Sequence, residues 1–464
     1  MSDHARTAAV VLAAGKGTRF RSDLAKVLHR AAGRTLVGAV LEALRPLGLG
    51  QVVVVVGHQA DDVAAAVDAA GIPGLTTALQ AEQHGTGHAV QIAMPALADD
   101  VERVLILPGD TPLLTADTLQ QLLAAADGRA AALLTARLAD PTGYGRVLRD
   151  PDGAVTGIVE HRDADPRQRA VDEINAGMYV VAREPLTRAL GRLDADNDQG
   201  ELYLTDVIGI LAGDGEPVAA VVTDEDEVAG VNDRRQLADA AAVLRRRHLD
   251  HLMTDVGVSV TDPATTYVDV DVEVGRDAVL LPGTILEAGT RVGERAVVGP
   301  HTHLTGCEVG ADATVHSTRG SDAIIGMGAT VGPYTHLRPG TRLGVKSKAG
   351  AFVETKNADI GDGAKVPHLA YLGDATVGER ANIACGVITV NYDGVGKHHT
   401  TIEDGAFVGC DTMLVAPVTV GAGAFVAAGS TLTDDVPADA LAIARARQVN
   451  KEGWAARRRE QHDG

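Results

Sequence analysis

The chain has 464 residues, of which 62 are Asp or Glu and 42 are Lys or Arg, and its formal net charge is −20. This length is too great for a single hydrophobic core and predicts two or three domains. The acidic balance argues against a nucleic-acid-binding surface, and no apolar segment is long enough to span a bilayer, so we expect neither nucleic acid nor a transmembrane segment.

Cysteine usage indicates the compartment. The three cysteines, Cys307, Cys385 and Cys410, show no C-x-x-C spacing. A sparse, odd number is typical of a reducing environment, and this spacing predicts no zinc site. The N-terminus lacks the charged segment and apolar core of a signal peptide. We therefore expect a cytoplasmic protein.

The first predicted strand, residues 8–11, leads into a loop rich in glycine and cations. This loop, LAAGKGTRFRSDLAK at 12–26, contains Gly15 and Gly17 beside Arg19 and Lys26. Glycines let backbone N–H groups approach a phosphate, and cations neutralise its charge. The loop is neither a Walker A sequence nor a G-x-G-x-x-G fingerprint. An isolated glycine turn is usually an ordinary strand-to-helix turn, but the cations favour a nucleoside triphosphate site.

Buried strands and helices alternate up to about residue 232, which predicts a doubly wound α/β sheet. Ligands of such sheets bind at the carboxyl ends of the strands, where the 12–26 loop and Asp110 both fall. By itself Asp110 could equally be a helix cap or turn former. The clearest elements are strands at 51–57 and 104–107 and helices at 61–70 and 118–126.

A long helix is predicted from residue 234 to about 253. Leu237, Ala241, Leu244 and Leu252 fall on one helical face. The neighbouring run of three arginines, 245–247, is interpreted as a solvated face.

Beyond residue 257 aliphatic residues recur at every sixth position, and glycine often follows them. Neither a helix nor an alternating strand has this period, whereas a parallel β-helix of three-faced coils of about eighteen residues does. Residues 345–359 and 390–401 break the frame, and we expect both to leave the coil as loops that carry function. The first series comprises Val274, Leu280, Leu286, Val292, Val298 and Leu304.

An ordered series of motifs carries a family resemblance across almost the whole chain. The 12–26 loop resembles the sugar-nucleotide pyrophosphorylase signature L-x-x-G-x-G-T-R followed by P-K, with Ala25 where the family usually has proline. Together the two halves resemble the bacterial bifunctional N-acetylglucosamine-1-phosphate uridylyltransferases/glucosamine-1-phosphate acetyltransferases. The other motifs are LQAEQHGTGHA at 79–89, GDTPLL at 109–114, DPTGYGR at 140–146, GVND at 230–233, GAFVETKNA at 350–358, PHLAYLGDA at 367–375 and NYDG at 391–394.

The resemblance implies the architecture and the activity. The architecture is a doubly wound α/β nucleotidyltransferase domain at 1–232, a linker helix at 233–254 and a left-handed parallel β-helix of hexapeptide repeats with a C-terminal tail at 255–464, assembled as a homotrimer. The activity is acetyl-CoA-dependent N-acetylation of glucosamine-1-phosphate, followed by UTP-dependent uridylyl transfer to N-acetylglucosamine-1-phosphate with release of pyrophosphate. The product, UDP-N-acetylglucosamine, is a cell-wall precursor.

For uridylyl transfer the resemblance implies one set of residues in the first half. Arg19 and Lys26 would hold the triphosphate and serve catalysis, and Asp110 and Asn232 would bind Mg²⁺, a hard ion that prefers oxygen ligands. Uracil and its ribose would contact Leu12, Ala14, Gly15, Gln80, Gly85 and Thr86. The acetylated sugar would contact Gly145, Glu160, Asn175 and Asn232.

For acetyl transfer it implies a second set on the β-helix. His368 would remove a proton from the substrate amine, although such a histidine taken alone is more often structural. The sugar phosphate would contact Arg338, Lys356, Tyr371 and Asn382. Acetyl-CoA would contact Ala384, Asn391, Tyr392, Cys410, Ala428 and Arg445, with Asn391 also orienting the amine and the histidine.

Two other hypotheses about function remain open when only the residues are considered. One is a sugar-1-phosphate nucleotidylyltransferase whose β-helix only assembles or regulates subunits, and the joint presence of His368, Lys356 and Asn391 speaks against it. The other is a non-enzymatic scaffold with an inactive first site, which the cations of the 12–26 loop and Asp110 disfavour.

Overall fold

The computed structural model describes residues 4–462, so the first three and last two residues of the predicted outer domains lie outside it. The chain divides into two compact units between Arg245 and Arg246. This division falls within a long helix, Arg234–His251, which continues as a π-helical turn, Leu252–Val256. The helix predicted for 234–253 is thus present.

The first unit is built on a twisted sheet whose central strands are parallel. Thr7–Ala13 (β1) pairs in parallel with both of its neighbours in the sheet, and its residues are almost all buried because helices cover both faces. The strands are β1, Arg30–Ala31 (β2), Arg34–Thr35 (β3), Gln51–Val56 (β4), Leu75–Leu79 (β5), Arg103–Pro108 (β6), Ala131–Arg137 (β7), Arg146–Arg149 (β8), Val155–Val159 (β9), Glu173–Ala182 (β10) and Val218–Val222 (β11). The main sheet has the order β11-β7-β10-β6-β1-β4-β5, with β8 and β9 attached to β10 and β2 paired only with β3.

Within the main order β11-β7-β10-β6-β1-β4-β5, one strand runs against the others. β10 is antiparallel to both β6 and β7, and its register with β7 is interrupted between Asn175 and Tyr179. The interruption bends the strand where it passes the carboxyl ends of β1 and β6. The simple strand–helix alternation of the sequence did not predict this strand direction.

Some helices of the first unit begin at side-chain caps. The side chains of Thr35 and Thr115 accept backbone N–H bonds at the starts of two helices, which satisfies amides that have no partner within the helix. The helices of the first unit are Leu36–Leu44 (α1), Ala60–Asp68 (α2), Thr86–Ala93 (α3), Ala116–Ala125 (α4), Pro166–Arg169 (α5), Arg183–Leu190 (α6) and Asp206–Gly213 (α7), with short 3₁₀ turns at Thr18–Phe20, Lys26–Leu28, Arg45–Leu47 and Met94–Ala96. The long helix is α8, and Trp454–Glu460 is α9.

The second unit is a parallel β-helix, as predicted from the six-residue period. One face carries the strands Ser259–Val260, Val279–Leu280, Val297–Val298, Thr314–Val315, Thr330–Val331, Lys348–Ala351, Lys365–His368, Asn382–Ile383, Phe407–Val408, Phe425–Val426 and Leu441–Ala442. The other faces carry Tyr267–Val268, Glu273–Val274, Ile285–Glu287, Arg291–Val292, His303–Thr305, Glu308–Val309, Thr318–Ser321, Ile324–Ile325, Thr335–Leu337, Arg342–Leu343, Glu354–Ile360, Tyr371–Val377, Ile388–Val390, Thr400–Ile402, Met413–Val415, Val418–Val420 and Thr431–Leu432.

The recurring aliphatic residues form the core of this unit. Leu280, Leu286 and Leu304 are fully buried, and each pairs with a residue of the next coil. The glycines that follow aliphatic positions have a packing reason: a Cβ at Gly310 would lie 2.6 Å from the backbone nitrogen of Met327 on the next coil. The coils therefore approach each other too closely for any side chain there.

The breaks in the six-residue frame have two different causes. Leu343 pairs with Ile360, seventeen residues on, so this coil is one residue shorter than a full coil of eighteen. The prediction that residues 345–359 leave the coil is therefore wrong, because Lys348–Ala351 and Glu354–Ile360 are strands of it. A shorter coil alone shifts the frame.

The second break, at 390–401, does contain a projecting loop. Tyr392 and Lys397 form an antiparallel bridge, and the backbone N–H of His398 donates to the carbonyl of Asn391 at 2.8 Å. Asp393 closes the turn by accepting from the N–H groups of Val395 and Gly396. We call residues 391–398 the projecting hairpin.

In the part of the chain that the structure describes, no helix is both long and apolar enough to cross a membrane.

Candidate active sites

The glycine-rich loop has a geometry that one of its glycines makes possible. Gly17 has φ of +59°, and a Cβ there would lie 2.5 Å from the Cβ of Lys26. Both the backbone conformation and the space therefore require glycine. Gly15, by contrast, has open space where its Cβ would be. The loop folds back on itself so that the Lys26 side chain packs directly against Gly17.

Four predicted residues of the first unit meet at one cluster. The Nζ of Lys26 contacts Oδ2 of Asp110 and lies 3.4 Å from Oδ1 of Asn232. The guanidinium of Arg19 donates to the same Oδ1 at 2.8 Å. The N–H of Val231 donates to the carbonyl of Asp110, which joins the two segments. The cluster thus contains two cations and one carboxylate, and the excess positive charge suits a polyphosphate.

The oxygens of this cluster fit a magnesium ion. Oδ2 of Asp110 and Oδ1 of Asn232 both contact the Lys26 ammonium, so they lie close together. Across residues 4–462, no group of three or more His, Cys, Asp or Glu side chains forms a metal-binding cluster. A site with one carboxylate and one amide oxygen suits Mg²⁺, which commonly keeps water and substrate phosphates as its other ligands.

Beside the cluster lies a cleft of about 630 Å³ at the carboxyl ends of β1 and β6. Gln80 is almost fully buried there, and its Nε2 donates to the carbonyl of Gly85 at 3.2 Å. Gly85 has φ of +105°, and a Cβ would lie 2.6 Å from the carbonyl oxygen of Leu202. The predicted site residues that line the cleft are Leu12, Ala14, Gly15, Lys26, Gln80, Gly85, Thr86, Asp110, Glu160 and Asn175.

The predicted sugar residues lie at one side of this cleft. The N–H of Asn175 donates to the carbonyl of Gly145 at 2.9 Å, and its Nδ2 donates to the Tyr179 hydroxyl at 2.7 Å. The side chain of Asn175 is therefore held rigidly. Burial raises the pKa of Glu160. Gly145 does not line the cleft but bonds Asn175, which does. Arg19 and Asn232 also do not line the cleft. They bond each other, and Asn232 lies beside Lys26, which lines it.

Several lining residues were not identified from the sequence. Tyr179 follows Asn175 by four residues on the bent strand β10, and burial raises its pKa. The segment that precedes α7 reaches the cleft because its Leu202 pairs by backbone bonds with His84 and Gly87. No local sequence pattern predicts this long-range contact. The missed residues include Gln83, Tyr179, Glu201, Leu204 and Thr205.

On the β-helix, the predicted phosphate-binding cations are neighbours. The N–H of Arg338 donates to the carbonyl of Thr355, which places Arg338 beside Lys356 on the next coil. Arg338 also forms an ion pair with Glu354 at 2.9 Å. Lys397 of the projecting hairpin lowers the pKa of Lys356, and the charge of Arg338 lowers it further. Three cations in one place favour an anion.

A glycine again leaves room for side chains at this second site. Lys356 pairs in register with Gly373. A Cβ at Gly373 would lie 2.4 Å from the hydroxyl of Tyr371 and 2.8 Å from Nδ2 of Asn391. The structure therefore brings together Lys356, Tyr371 and Asn391, three of the predicted acetyl-transfer residues.

A carboxylate that the sequence did not single out anchors Asn391. Oδ2 of Asp374 accepts from Nδ2 of Asn391 at 2.5 Å, and Oδ1 accepts from Nδ2 of Asn357 at 2.8 Å. Burial raises the pKa of Asp374, but the two amide hydrogen bonds and the charges of nearby lysines outweigh burial and lower it. Because a carboxylate only accepts, both amides present their NH₂ groups to it, and Oδ1 of Asn391 is left for a substrate.

The predicted base, His368, lies on a different face of the β-helix from Lys356 and Tyr371. The strand register places it in a column of residues that stack on successive coils. Lys365 pairs with Asn382, and Ile383 pairs with Val408, so His368, Cys385 and Cys410 occupy equivalent places on successive coils. His368 and Cys410 are exposed. Successive coils of a parallel ladder are about 4.8 Å apart.

The predicted acetyl-CoA residues divide between this column and the projecting hairpin. Phe425–Val426 continues the column so that Ala428 follows Cys410, and the Arg445 side chain lies 3.6 Å from where a Cβ of Gly429 would be. Ala384 is buried beside the column, and Cys385 takes the place within it. Asn391 and Tyr392 belong to the hairpin instead. Asn382 pairs with Lys365 on the same face of the β-helix as His368. The sheet that carries Lys356 and Tyr371, next to Arg338, is a different one.

The two units match two classes of transferase. Residues 9–208 match the family described as a MobA-like NTP transferase domain, and residues 399–434 match the bacterial transferase hexapeptide of six repeats. The chain is thus a nucleotidyltransferase joined to a hexapeptide transferase.

Full-length relatives define the family. The chain is 53% identical to bifunctional protein GlmU of Streptomyces avermitilis, covering 97% of this chain and 94% of the relative. It is 51% identical to the Corynebacterium efficiens protein of the same name, over 98% and 94%, and 52% identical to that of Mycolicibacterium gilvum, over 99% and 93%. The chain belongs to the GlmU family, the bifunctional acetyltransferases and uridylyltransferases of UDP-N-acetylglucosamine synthesis. The family predicted from the sequence motifs is thereby confirmed.

The anchoring of Asn391 by Asp374 is testable by a double-mutant cycle. We expect Asp374→Asn to slow acetyl transfer by about 10- to 100-fold, because Asn391 loses its fixed orientation. In an Asn391→Ala background the same change should have little further effect. Steady-state acetylation rates measure both.

A matched control is Asp359→Asn, which removes an exposed carboxylate from the same strand, Glu354–Ile360, as Asn357. It should leave acetyl transfer unchanged. Fully additive losses for Asp374→Asn and Asn391→Ala would show that Asp374 acts independently of Asn391.

Proposed function

We propose that the first-unit cleft carries out uridylyl transfer to N-acetylglucosamine-1-phosphate. The observation that carries this proposal is the cluster of Arg19, Lys26, Asp110 and Asn232 at the mouth of a cleft lined by Gln80. Arg19 and Lys26 hold the triphosphate and offset its charge. Uracil lies against the loop of Ala14 and Gly15 and the buried amide of Gln80, which fits the donors and acceptors of a pyrimidine edge.

The chemistry at this cleft needs no covalent enzyme intermediate. A phosphate oxygen of the sugar attacks the α-phosphorus of UTP, the bond to the bridging oxygen breaks, and pyrophosphate leaves. Asp110 and Asn232 would hold Mg²⁺, which supplies charge neutralisation on the phosphates when bound. The chain contributes mainly positioning and electrostatic stabilisation, as is usual in phosphoryl transfer.

We propose that the β-helix carries out the preceding acetylation. Arg338 and Lys356 bind the phosphate of glucosamine-1-phosphate, and Tyr371 and Asn391 orient its sugar and amine. His368 takes the proton as the amine attacks the thioester carbonyl of acetyl-CoA, and the coenzyme A thiolate leaves. Cys410, Ala428 and Arg445 line the acetyl-CoA groove. The acetylated product is the substrate of the first unit, which fixes the order of the two reactions.

Two single variants separate the two activities in the full chain. Asp110→Ala should abolish uridylyl transfer and leave acetyl transfer near normal, because the residue serves only the first site. His368→Ala should slow acetyl transfer by about 10² to 10⁴, the usual contribution of a general base. It should leave uridylyl transfer unchanged.

The pH dependence of His368→Ala gives a further readout. Its acetylation rate should rise with pH because more of the substrate amine is then already deprotonated. Rates are measured against pH at saturating acetyl-CoA. A variant with the rate and profile of the unmodified protein would make His368 a structural residue, and normal UDP-sugar formation by Asp110→Ala would remove the metal assignment.

We infer that the protein is a cytoplasmic homotrimer. Its three cysteines are free thiols, as expected in a reducing compartment. Tyr334, Phe352 and Leu369 lie at one corner of successive coils and are each more than half exposed, with the two rings stacked 5.2 Å apart. An exposed apolar ladder of this kind favours burial against another copy of the chain.

The assembly is testable by analytical ultracentrifugation. The chain has a mass of 47.9 kDa, and we expect it to sediment as a trimer. Phe352→Arg should weaken the assembly because it places a charge within the apolar ladder. A monomer before substitution, or a trimer unaffected by it at any concentration, would contradict this role of the ladder.

A further inference from the structure

The lysine assigned to the triphosphate follows a segment with no regular structure of its own. Residues 21–25, between the 3₁₀ turns Thr18–Phe20 and Lys26–Leu28, form no helix or strand. Leu24 within it is 43% exposed, whereas Ala25 is buried. The position of Lys26 therefore depends on what holds this segment to the sheet.

One side chain makes two bonds to the backbone of this segment. Oε1 of Gln59 accepts from the N–H of Ala25 at 2.6 Å. Nε2 of the same amide donates to the carbonyl of Asp23 at 2.7 Å. A backbone N–H requires an acceptor and a carbonyl requires a donor, so the amide has only one orientation that satisfies both.

Gln59 is itself fixed firmly to the sheet. It follows β4, the neighbour of β1, and stands with φ of +52° at the start of α2. Its carbonyl accepts from the N–H of Val63 at 3.0 Å, and the N–H of His58 donates to the carbonyl of Ala14 at 3.3 Å. The side chain therefore extends from a backbone that is bonded to a helix on one side and to the glycine-rich loop on the other.

We propose that Gln59 is a positioning residue for uridylyl transfer, which acts by holding Asp23 and Ala25 so that Lys26 meets the triphosphate. This inference rests on the proposed role of Lys26. Gln59 restrains the backbone next to the lysine without touching the substrate.

The conformation of Ala25 explains why such a restraint is needed. Its φ is −55°, within the range that proline fixes by its ring. An alanine does not fix this angle, but it keeps the N–H that proline lacks, and that N–H bonds Gln59. Ala25 and Gln59 together therefore restrain the loop in the way that a proline would restrain it alone.

The experiment measures uridylyl transfer by the full chain with UTP and N-acetylglucosamine-1-phosphate. Gln59→Ala should lower kcat/KM for UTP about tenfold, because the loss of its two hydrogen bonds leaves Lys26 less well positioned. The KM for the sugar phosphate and the rate of acetyl transfer should stay unchanged. Gln59→Glu keeps the acceptor for Ala25 but places a second acceptor oxygen against the carbonyl of Asp23, so it should not restore the rate.

Two backgrounds test how Gln59 acts. In the Ala25→Pro variant the proline ring fixes φ, so adding Gln59→Ala should lower kcat/KM for UTP very little. In Lys26→Ala the residue to be positioned is gone, so Gln59→Ala should again add little. If Ala25→Pro fails to fold, the Lys26→Ala background still gives the answer.

A matched control lies at the start of β4, the strand that Gln59 follows. Gln51 makes the same pair of amide bonds to backbone, donating to Ala96 and accepting from Ala98 at 2.8 and 3.0 Å. Gln51→Ala should leave kcat/KM for UTP unchanged. Equal losses in Gln51→Ala and Gln59→Ala, or an undiminished effect of Gln59→Ala in the Lys26→Ala background, would overturn the inference. Full activity of Lys26→Ala itself would instead overturn the proposed role of Lys26.

Discussion

Lys26 reaches its partners only because Gly17 has no side chain, and the rest of both sites depends on the same constraint. At Gly17 and Gly373, functional side chains occupy the space that a Cβ would fill. At Gly85 the backbone of the segment before α7 does so. Close backbone approach lets side chains from distant parts of the chain meet within hydrogen-bond distance. These glycines are therefore part of the sites although they contribute no chemical group.

Each site concentrates positive charge within a strongly acidic chain. In the first unit Lys26 contacts the carboxylate of Asp110, and Arg19 donates to the neighbouring amide oxygen of Asn232. On the β-helix the proximity of Lys397 lowers the pKa of Lys356, so these cations repel one another until an anion offsets them. We propose that phosphate groups of the substrates provide that offset. The net charge of the chain argued against a nucleic-acid surface but did not predict these local concentrations of positive charge.

The elements with a local cause were predictable from the sequence. The apolar run of Gln51–Val56 and the helical periodicity of Arg234–His251 depend on neighbouring residues, and the structure contains both. The β-helix was predictable because its period repeats many times. The segment at 345–359 was misjudged because a coil shortened by one residue and a projecting loop disturb the period in the same way.

The candidate sites were predictable only as far as family motifs extend. Those motifs led to Lys26, Asp110 and Asn391, and the structure gives each of them close partners. Asp374 and Gln59 were missed because their bonds join segments that are distant in sequence and follow no spacing rule. Cys385 was considered only as one of the three cysteines, and its place in the His368 column became apparent from the register.

One chain performs both reactions, acetylation first and uridylyl transfer second. The most direct measurement follows glucosamine-1-phosphate, UTP and acetyl-CoA with Mg²⁺ by phosphorus NMR, with each reactant omitted in turn. We expect N-acetylglucosamine-1-phosphate to form without UTP, and UDP-N-acetylglucosamine to form only when all are present. A different result would contradict this conclusion: the chain fails to acetylate glucosamine-1-phosphate with acetyl-CoA but still catalyses uridylyl transfer. The β-helix would then be an assembly module.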